Sequence, residues 1–516
     1  MNVVARDDPR ANVVAADARR RVAVVIVVSC CARMALAASI GLGVDESYAV
    51  AVARPMSLSY FDHPPLAFWI TAVAEHLFGS RHDALLRLPF ILLFAATTWM
   101  LYRLTALLLG ERPGLFAAIL VSVIPVFGVS DGGWILPDGP LLCGIVGASL
   151  CLAHAVNSPD SGARRWWLLG GLFTGVALLS KYHAVLFAAG VVLYLSTNTH
   201  DRRWLRRREP YLAALVASVI ALPVVIWNAR HGWISFRFQS GRADLVHGMH
   251  ASALLQNIAG QAGYILPWCW IPLAWLFIAA VKRGPADRSR WLLACLGGGP
   301  IVLFTLLALG GRAGLPHWPA PGWLLVVPML GAALARVEAS RARLVRSYLV
   351  GSTVVVAALV AVAASQIATG WVSRRFPAWF VRGDPSLDAL DWREALSTID
   401  SSARSSTPDL VIAANWIDAA KIGAALSRAK PVLCFNDDAR HFRFVADQRA
   451  LVGRNALVVL RDGPRADDAR ARLAAYFQSL RPIDTVQVHR HGVAAVNLIL
   501  YQGRTLLRSY AVSSNQ

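Results

Sequence analysis

The chain has 516 residues, 56% of them hydrophobic and only 16% charged, with a formal net charge of +20. A composition this apolar excludes an ordinary soluble domain of that length and points to the bilayer. The basic residues gather in short loops between apolar runs, which is the positive-inside pattern and not a nucleic-acid-binding stripe.

Residues 1–21 read as a polar, alanine-rich cytoplasmic tail ending in Arg19-Arg20-Arg21. The apolar run Val22–Leu42 is long enough to span and carries no clear cleavage site, so it reads as a retained anchor. The arginines hold its start in the cytoplasm, which makes 44–83 an extracytoplasmic loop. Within that loop, AVAVARPM and FWITAVAEHLF read as short helices lying in the interface. Further spans are expected near 84–109, 114–129, 138–156, 166–180, 183–198, 211–228, 258–281, 291–309, 319–335 and 347–367. That gives about eleven in all, most near the roughly 17–25 residues a bilayer demands. The loops this places in the cytoplasm are 110–113, 157–165, 200–210, 282–290 and 336–346; the first holds only Arg112 against Glu111, and the last four are basic. With an odd count the C-terminus lies outside. The span-bearing part, 22–370, is therefore read as one transmembrane domain.

After Trp371 the character changes. Residues 371–516 alternate short apolar runs (LVIAA, PVLCF, ALVVL, AAVNLILY) with the helical patterns DAAKIGAALSR and DDARARLAAYFQSL. This reads as an extracytoplasmic α/β domain. It has no phosphate-cradling glycine loop, which argues against a nucleotide role. The seven cysteines form no CxxC or Cys/His pattern and read as small apolar packing residues. The fold class expected is thus an α-helical integral membrane protein of about eleven transmembrane helices with a C-terminal extracytoplasmic α/β domain.

The unusual polar residues fall in loops assigned to one side. Val44–Leu66 carries Asp45, Glu46, Asp62 and His63 before Pro64-Pro65; Ser130–Pro140 carries Asp131 and Asp138; Ser180–His183 carries Lys181. Charged, proline-stiffened segments between spans are costly without a function. The chemistry that suits them is transfer of a sugar from a polyprenyl phosphate. A carboxylate must take a proton from the acceptor hydroxyl, and Asp45 or Glu46 is the candidate. Cations must hold the leaving phosphate, and Lys181, with Arg312 or His317, is the candidate set. Asp62, His63 and Asp138 would shape the sugar pocket. Asp138 is also a candidate ligand for a divalent cation, and His63 for a softer metal such as zinc. Asp138 has a structural reading too, as the N-cap of a span, and Lys181 as an interfacial lysine. Arg230, Arg237 and Arg242, interleaved with aromatics in 228–256, suit an interfacial segment near anionic lipid or acceptor.

The runs DESYAVAVARPM and YFDHPPLAFW, then LPDGPLL, then GVALLSKYHAVL resemble the bacterial branch of the dolichyl-phosphate-mannose–protein mannosyltransferase family. That branch includes the aminoarabinose transferase of lipid A, within the C-type glycosyltransferases. The resemblance covers residues 20–340. It implies an inverting transferase that uses a lipid-phosphate-linked sugar outside the cytoplasm. It matches the family's acidic residue after the first span to Asp45, its acidic residue before the fourth span to Asp138, and its basic turn residue to Lys181. The aminoarabinose transferases resemble this loop with a lysine where His63 stands. A divalent ion is associated with parts of the family. The reading is a bacterial inner-membrane glycosyltransferase with an undecaprenyl- or decaprenyl-phosphate sugar donor. Its acceptor is a cell-envelope glycan or lipid, such as lipopolysaccharide, with protein less favoured. The alternative is a multispan lipid or solute transporter or flippase, which predicts ionisable residues at mid-span and broken helices in repeated positions.

Overall fold

The computed structural model describes residues 9–79, 82–241, 249–311, 314–381, 383–402, 408–426 and 430–510. Arg242 and Arg312 lie outside the described residues. The helices that bear on the site are, in chain order, α1 (Pro9–Ser39), α2 (Val44–Ala53), α3 (Leu66–Phe78), α4 (Asp83–Leu109), α5 (Glu111–Val123), α6 (Asp138–Asn157), α7 (Asp160–Leu178), α8 (Ala184–Thr197), α9 (Glu209–Arg230), α10 (Ile234–Gly241), α11 (Ala251–Ile265), α12 (Pro267–Arg283), α13 (Arg288–Leu307) and α14 (Ala320–Thr369). The chain divides into two compact units, one of residues 1–34 with 88–358 and the other of residues 35–87 with 359–516.

The first unit is a helical bundle. Among the described residues six helices are long and apolar enough to cross a membrane, or seven if the bent pair α11–α12 is one span. The expected count of eleven is not reached by this measure. The α8 helix has 14 residues, about 21 Å at 1.5 Å per residue, which falls short of a core of about 30 Å. The expected single span 258–281 is instead broken. Leu266 sits at φ 76°, and the two helices meet at a bend of 112°. The expected spans 319–335 and 347–367 both lie in α14, and Arg341 leaves helical geometry between them (φ −136°, ψ 53°).

Burial separates lining from core. α6 is buried almost throughout, whereas α1 exposes Val24, Val27 and Val28 and α9 exposes Leu215 and Val219. Exposed branched aliphatics along one long helix are what lipid, not water, accommodates. Helices approach closely where small residues allow it. A Cβ on Gly171 of α7 would lie 2.4 Å from the Ala213 carbonyl oxygen of α9.

The second unit is built on a five-stranded sheet: β1 (Leu410–Ala413), β2 (Val432–Cys434), β3 (Ala456–Arg461), β4 (Phe477–Arg490) and β5 (Val493–Leu506), in the order β2-β1-β3-β5-β4. The first three pair in parallel and read as continuous buried runs; β3–β5 and β5–β4 are antiparallel. Leu410, Ile412, Leu433, Val458, Leu460 and Phe477 share its core. Helices α15 (Trp371–Arg375), α16 (Arg393–Ser402), α17 (Trp416–Ala425) and α18 (Ala466–Ala474) complete it. The run DDARARLAAYFQSL, expected as one helix, divides. Its helix ends at Ala474, and Phe477 opens β4, where its ring is buried against Gly503. His491 and Gly492, at φ 49° and 76°, make the two-residue turn to β5.

The α2 segment, expected at the interface, buries every side chain from Glu46 to Ala53 and packs against α17. Gly423 permits this, since a Cβ there would lie 2.6 Å from that of Ala51. α3 does keep an apolar face exposed, at Val73 and Leu77.

Gly171→Leu is expected to lower the stability of the bundle by about 1–3 kcal/mol through overpacking. Gly162→Ala, whose Cβ has nothing within 4 Å, should stay within about 0.5 kcal/mol of wild type. Thermal unfolding in detergent measures both.

Candidate functional site

The site begins at the end of α1. A helix leaves its last carbonyls without partners. Here Arg87 supplies them: its Nη1 donates to Ala37 O and Ile40 O at 3.0 Å each, and its Nη2 to Gly41 O at 2.9 Å. The same guanidinium takes Glu46 as a fork, Nε to Oε1 at 2.7 Å and Nη2 to Oε2 at 2.5 Å. Glu46 Oε2 also accepts the Gly43 N–H at 2.8 Å. Glu46 is therefore an anchor that fixes the first turn of α2. Asp45, one residue earlier, is exposed.

One turn on, Tyr48 donates its hydroxyl to Asp62 Oδ1 at 2.9 Å. Burial, with the Asp62 charge beside it, pushes the Tyr48 hydroxyl well above its usual range and keeps it a donor. Asp62 Oδ2 faces Arg440 at 3.4 Å. His63 follows, half-buried, before the buried Pro64 and Pro65 that lead into α3. Lys421 of α17 is buried and donates to Leu42 O at 2.6 Å and Leu390 O at 2.9 Å. Burial lowers its ammonium to about 8, with Glu46 and Asp388 opposing.

The second cluster lies in the first unit. Lys181, at the tight turn between α7 and α8, donates to both oxygens of Asp138, at 2.8 and 2.9 Å, and both side chains are buried. His183 and His317 are near enough to act on the Asp138 charge. Asp131 closes a π-helical turn, Val126–Asp131, and is buried. Its burial and the Asp138 charge push its carboxyl well above the ordinary range, so one ammonium serves a site holding two acids. Arg33, inside α1, donates to Gly128 O of the same turn at 2.8 Å.

Of the expected site residues, Asp138, Lys181 and His317 thus fall in the first unit, and Asp45, Glu46, Asp62 and His63 in the second. Asp138 comes with Lys181 as an ion pair, although phosphate holding was expected of the one and sugar or metal binding of the other. Both Asp138 oxygens accept from the Lys181 ammonium. Among the described residues no three His, Cys, Asp or Glu side chains converge as a ligand set.

Sequence reasoning missed Arg87, Lys421, Arg440 and His441. Arg87 had a signal, a lone arginine inside an apolar run. Arg440 and His441 sit in RHFRF, a basic and aromatic cluster in the final domain. Lys421 lies in a plain amphipathic pattern that marks nothing.

Residues 62–227 match the family described as dolichyl-phosphate-mannose-protein mannosyltransferase. A lipid A galacturonosyltransferase of Rhizobium johnstonii is 24% identical over 274 residues, 52% of this chain and 56% of that protein. An undecaprenyl phosphate-α-4-amino-4-deoxy-L-arabinose arabinosyl transferase of Proteus mirabilis is 22% identical over 282 residues, 52% and 49% of the two chains. The chain thus spans about half the length of these curated relatives. The crystal structure of ArnT from Cupriavidus metallidurans bound to undecaprenyl phosphate is similar in fold, with a TM-score of 0.63 at 17% identity over 93% of this chain and 97% of that one. The resemblance read from YFDHPPL, LPDGPLL and the Ser180-Lys181 turn is borne out.

Lys421 gives this region a pH signature. Its folded value of about 8 lies below the ordinary 10.5, so between these values the unfolded chain binds more protons and stability rises with pH. The melting temperature of wild type relative to Lys421→Met should therefore increase from about pH 7.5 to about pH 9.5. A pH-independent difference in thermal unfolding would remove the buried charge from the account.

Proposed function

Because residues 62–227 match the dolichyl-phosphate-mannose–protein mannosyltransferase family, we propose that this chain is a membrane glycosyltransferase. It moves a sugar from a polyprenyl phosphate, undecaprenyl or decaprenyl, to a lipid A or other lipopolysaccharide acceptor. A protein acceptor is less favoured. Relatives named for lipid A and for undecaprenyl phosphate-linked aminoarabinose support this choice.

The observation that carries the reading is Asp45. It is exposed on the first turn of a helix whose next eight side chains are buried, and its neighbour Glu46 is locked by Arg87. A carboxylate held on so rigid a base is suited to take a proton. In the proposed step, Asp45 removes the proton from the acceptor hydroxyl, whose oxygen bonds the anomeric carbon. The bond from that carbon to the phosphate oxygen breaks on the opposite side, and the polyprenyl phosphate leaves with inversion. Lys181 holds the phosphate, with Arg312 and His317 as further cations. Asp62, His63 and Asp138 shape the sugar pocket. No step is routed through a metal.

The topology that accompanies this reading has eleven crossings, a cytoplasmic N-terminus and an extracytoplasmic C-terminal domain. The basic loops 157–165, 200–210, 282–290 and 336–346 support it. The transport alternative calls for broken helices in paired positions, and among the described residues one bent pair occurs, α11 with α12.

Asp45→Asn is expected to lower transfer about 10²–10⁴-fold. The assay uses purified protein in lipid with radiolabelled undecaprenyl-phosphate-linked aminoarabinose or galacturonic acid and lipid A. Transfer equal to wild type would take the base role from Asp45. Lys181→Met should cost about 3–5 kcal/mol by stranding Asp138. Adding Asp138→Asn should recover that stability while donor binding stays weak. A double variant with normal donor affinity would make the pair purely structural.

A further inference from the structure

The final domain has no catalytic motif of its own, yet within the second unit it grips the YFDHPPL loop residue by residue. The Phe61 N–H donates to His441 Nδ1 at 3.1 Å. The Tyr60 ring lies 4.5 Å from the His441 ring, and the Arg443 guanidinium sits 4.8 Å over Phe61. Asp62 faces Arg440. The His441 N–H donates to the Tyr48 hydroxyl at 3.1 Å, and that hydroxyl donates to Asp62. Three consecutive loop residues are thus held by residues 440–443, and α2 is tied in through Tyr48.

The holding side is itself constrained. Arg440 lies at φ 50°, a left-handed conformation that a side-chain-bearing residue adopts at a cost. Its Nε is bound by Asp438 at 2.9 Å, and its guanidinium lies 4.5 Å over Trp416. His441 is 1% exposed. Strain that the surroundings over-determine, spent on aiming two side chains at one loop, is a positioning device and more than a packing accident.

We propose that Arg440 and His441 are positioning residues for sugar transfer, setting the backbone of Tyr60–Asp62 and with it the donor pocket. This rests on the transferase reading. The C-terminal domain is then a working part of the active site. A loop displaced by about 1 Å is enough to cost roughly 100-fold in rate.

The decisive variants are His441→Asn, whose Oδ1 can stand where Nδ1 accepts, and His441→Gln, whose acceptor reaches the other ring position. His441→Gln and His441→Ala should raise the KM for the radiolabelled undecaprenyl-phosphate sugar at least about fivefold and leave the KM for lipid A unchanged. His441→Asn should return the donor KM to within about twofold of wild type. A general folding defect would lower the active fraction without this split. Unchanged donor KM in His441→Gln beside an inactive Asp45→Asn overturns the positioning role alone. Wild-type transfer by Asp45→Asn overturns the base assignment and leaves the positioning test intact. If no donor turns over, hydrogen exchange at the Phe61 amide decides. Protection lost in His441→Gln and kept in His441→Asn supports the inference, and equal protection in all forms refutes it.

Discussion

Arg87 and Glu46 form the interaction on which the second unit depends. All five guanidinium N–H groups are used, two on the Glu46 carboxylate and three on the carbonyls of Ala37, Ile40 and Gly41. One buried cation thereby satisfies the end of α1, starts α2 and fixes the turn between them. Such a pair is weak evidence for net stability, since two charges had to leave water. What its five directed bonds fix is the geometry of the turn. Removing either partner strands the other, at about 3–5 kcal/mol, so the direction in which α2 leaves α1 is hardly adjustable. Asp45 inherits that rigidity without taking part in the pair.

The long apolar runs and the basic loops were legible because a bilayer imposes length and charge rules that act locally along the chain. Asp138 and Lys181 were legible as unusual residues, but their pairing was not. A lysine and an aspartate 43 positions apart are joined by helix packing, which periodicity does not report. The break at Leu266 was hidden for a different reason. Pro267 marks a helix start as readily as a kink, and hydropathy runs unbroken across it. The α2 helix misled most. Its AVAVA core reads as interfacial by composition, yet what covers it is α17, at sequence positions near 420. Only Gly423, unremarkable in the sequence, records how close that approach is.

The two clusters differ in electrostatic character. In the first unit, Lys181 is shared by neighbouring acids, Asp138 bound and Asp131 pushed toward neutrality. The Lys181 ammonium is thus already compensated within the fold. In the second unit each acid has an arginine, Arg87 on Glu46 and Arg440 shared by Asp62 and Asp438.

The grip of Arg440 on Asp62 joins residues 378 positions apart. At roughly 5–20 residues per second, the ribosome delivers the second partner about 20–75 s after the first. The loop therefore emerges long before residues 440–443 can hold it, and every helix of the first unit after α1 is synthesised in the interval. A chain truncated before residue 440 could insert fully into the membrane and still lack this clamp. Biosynthesis thus ends by fastening a segment made near its start, so completion of the chain, and not membrane insertion, sets when Tyr60–Asp62 take their final form.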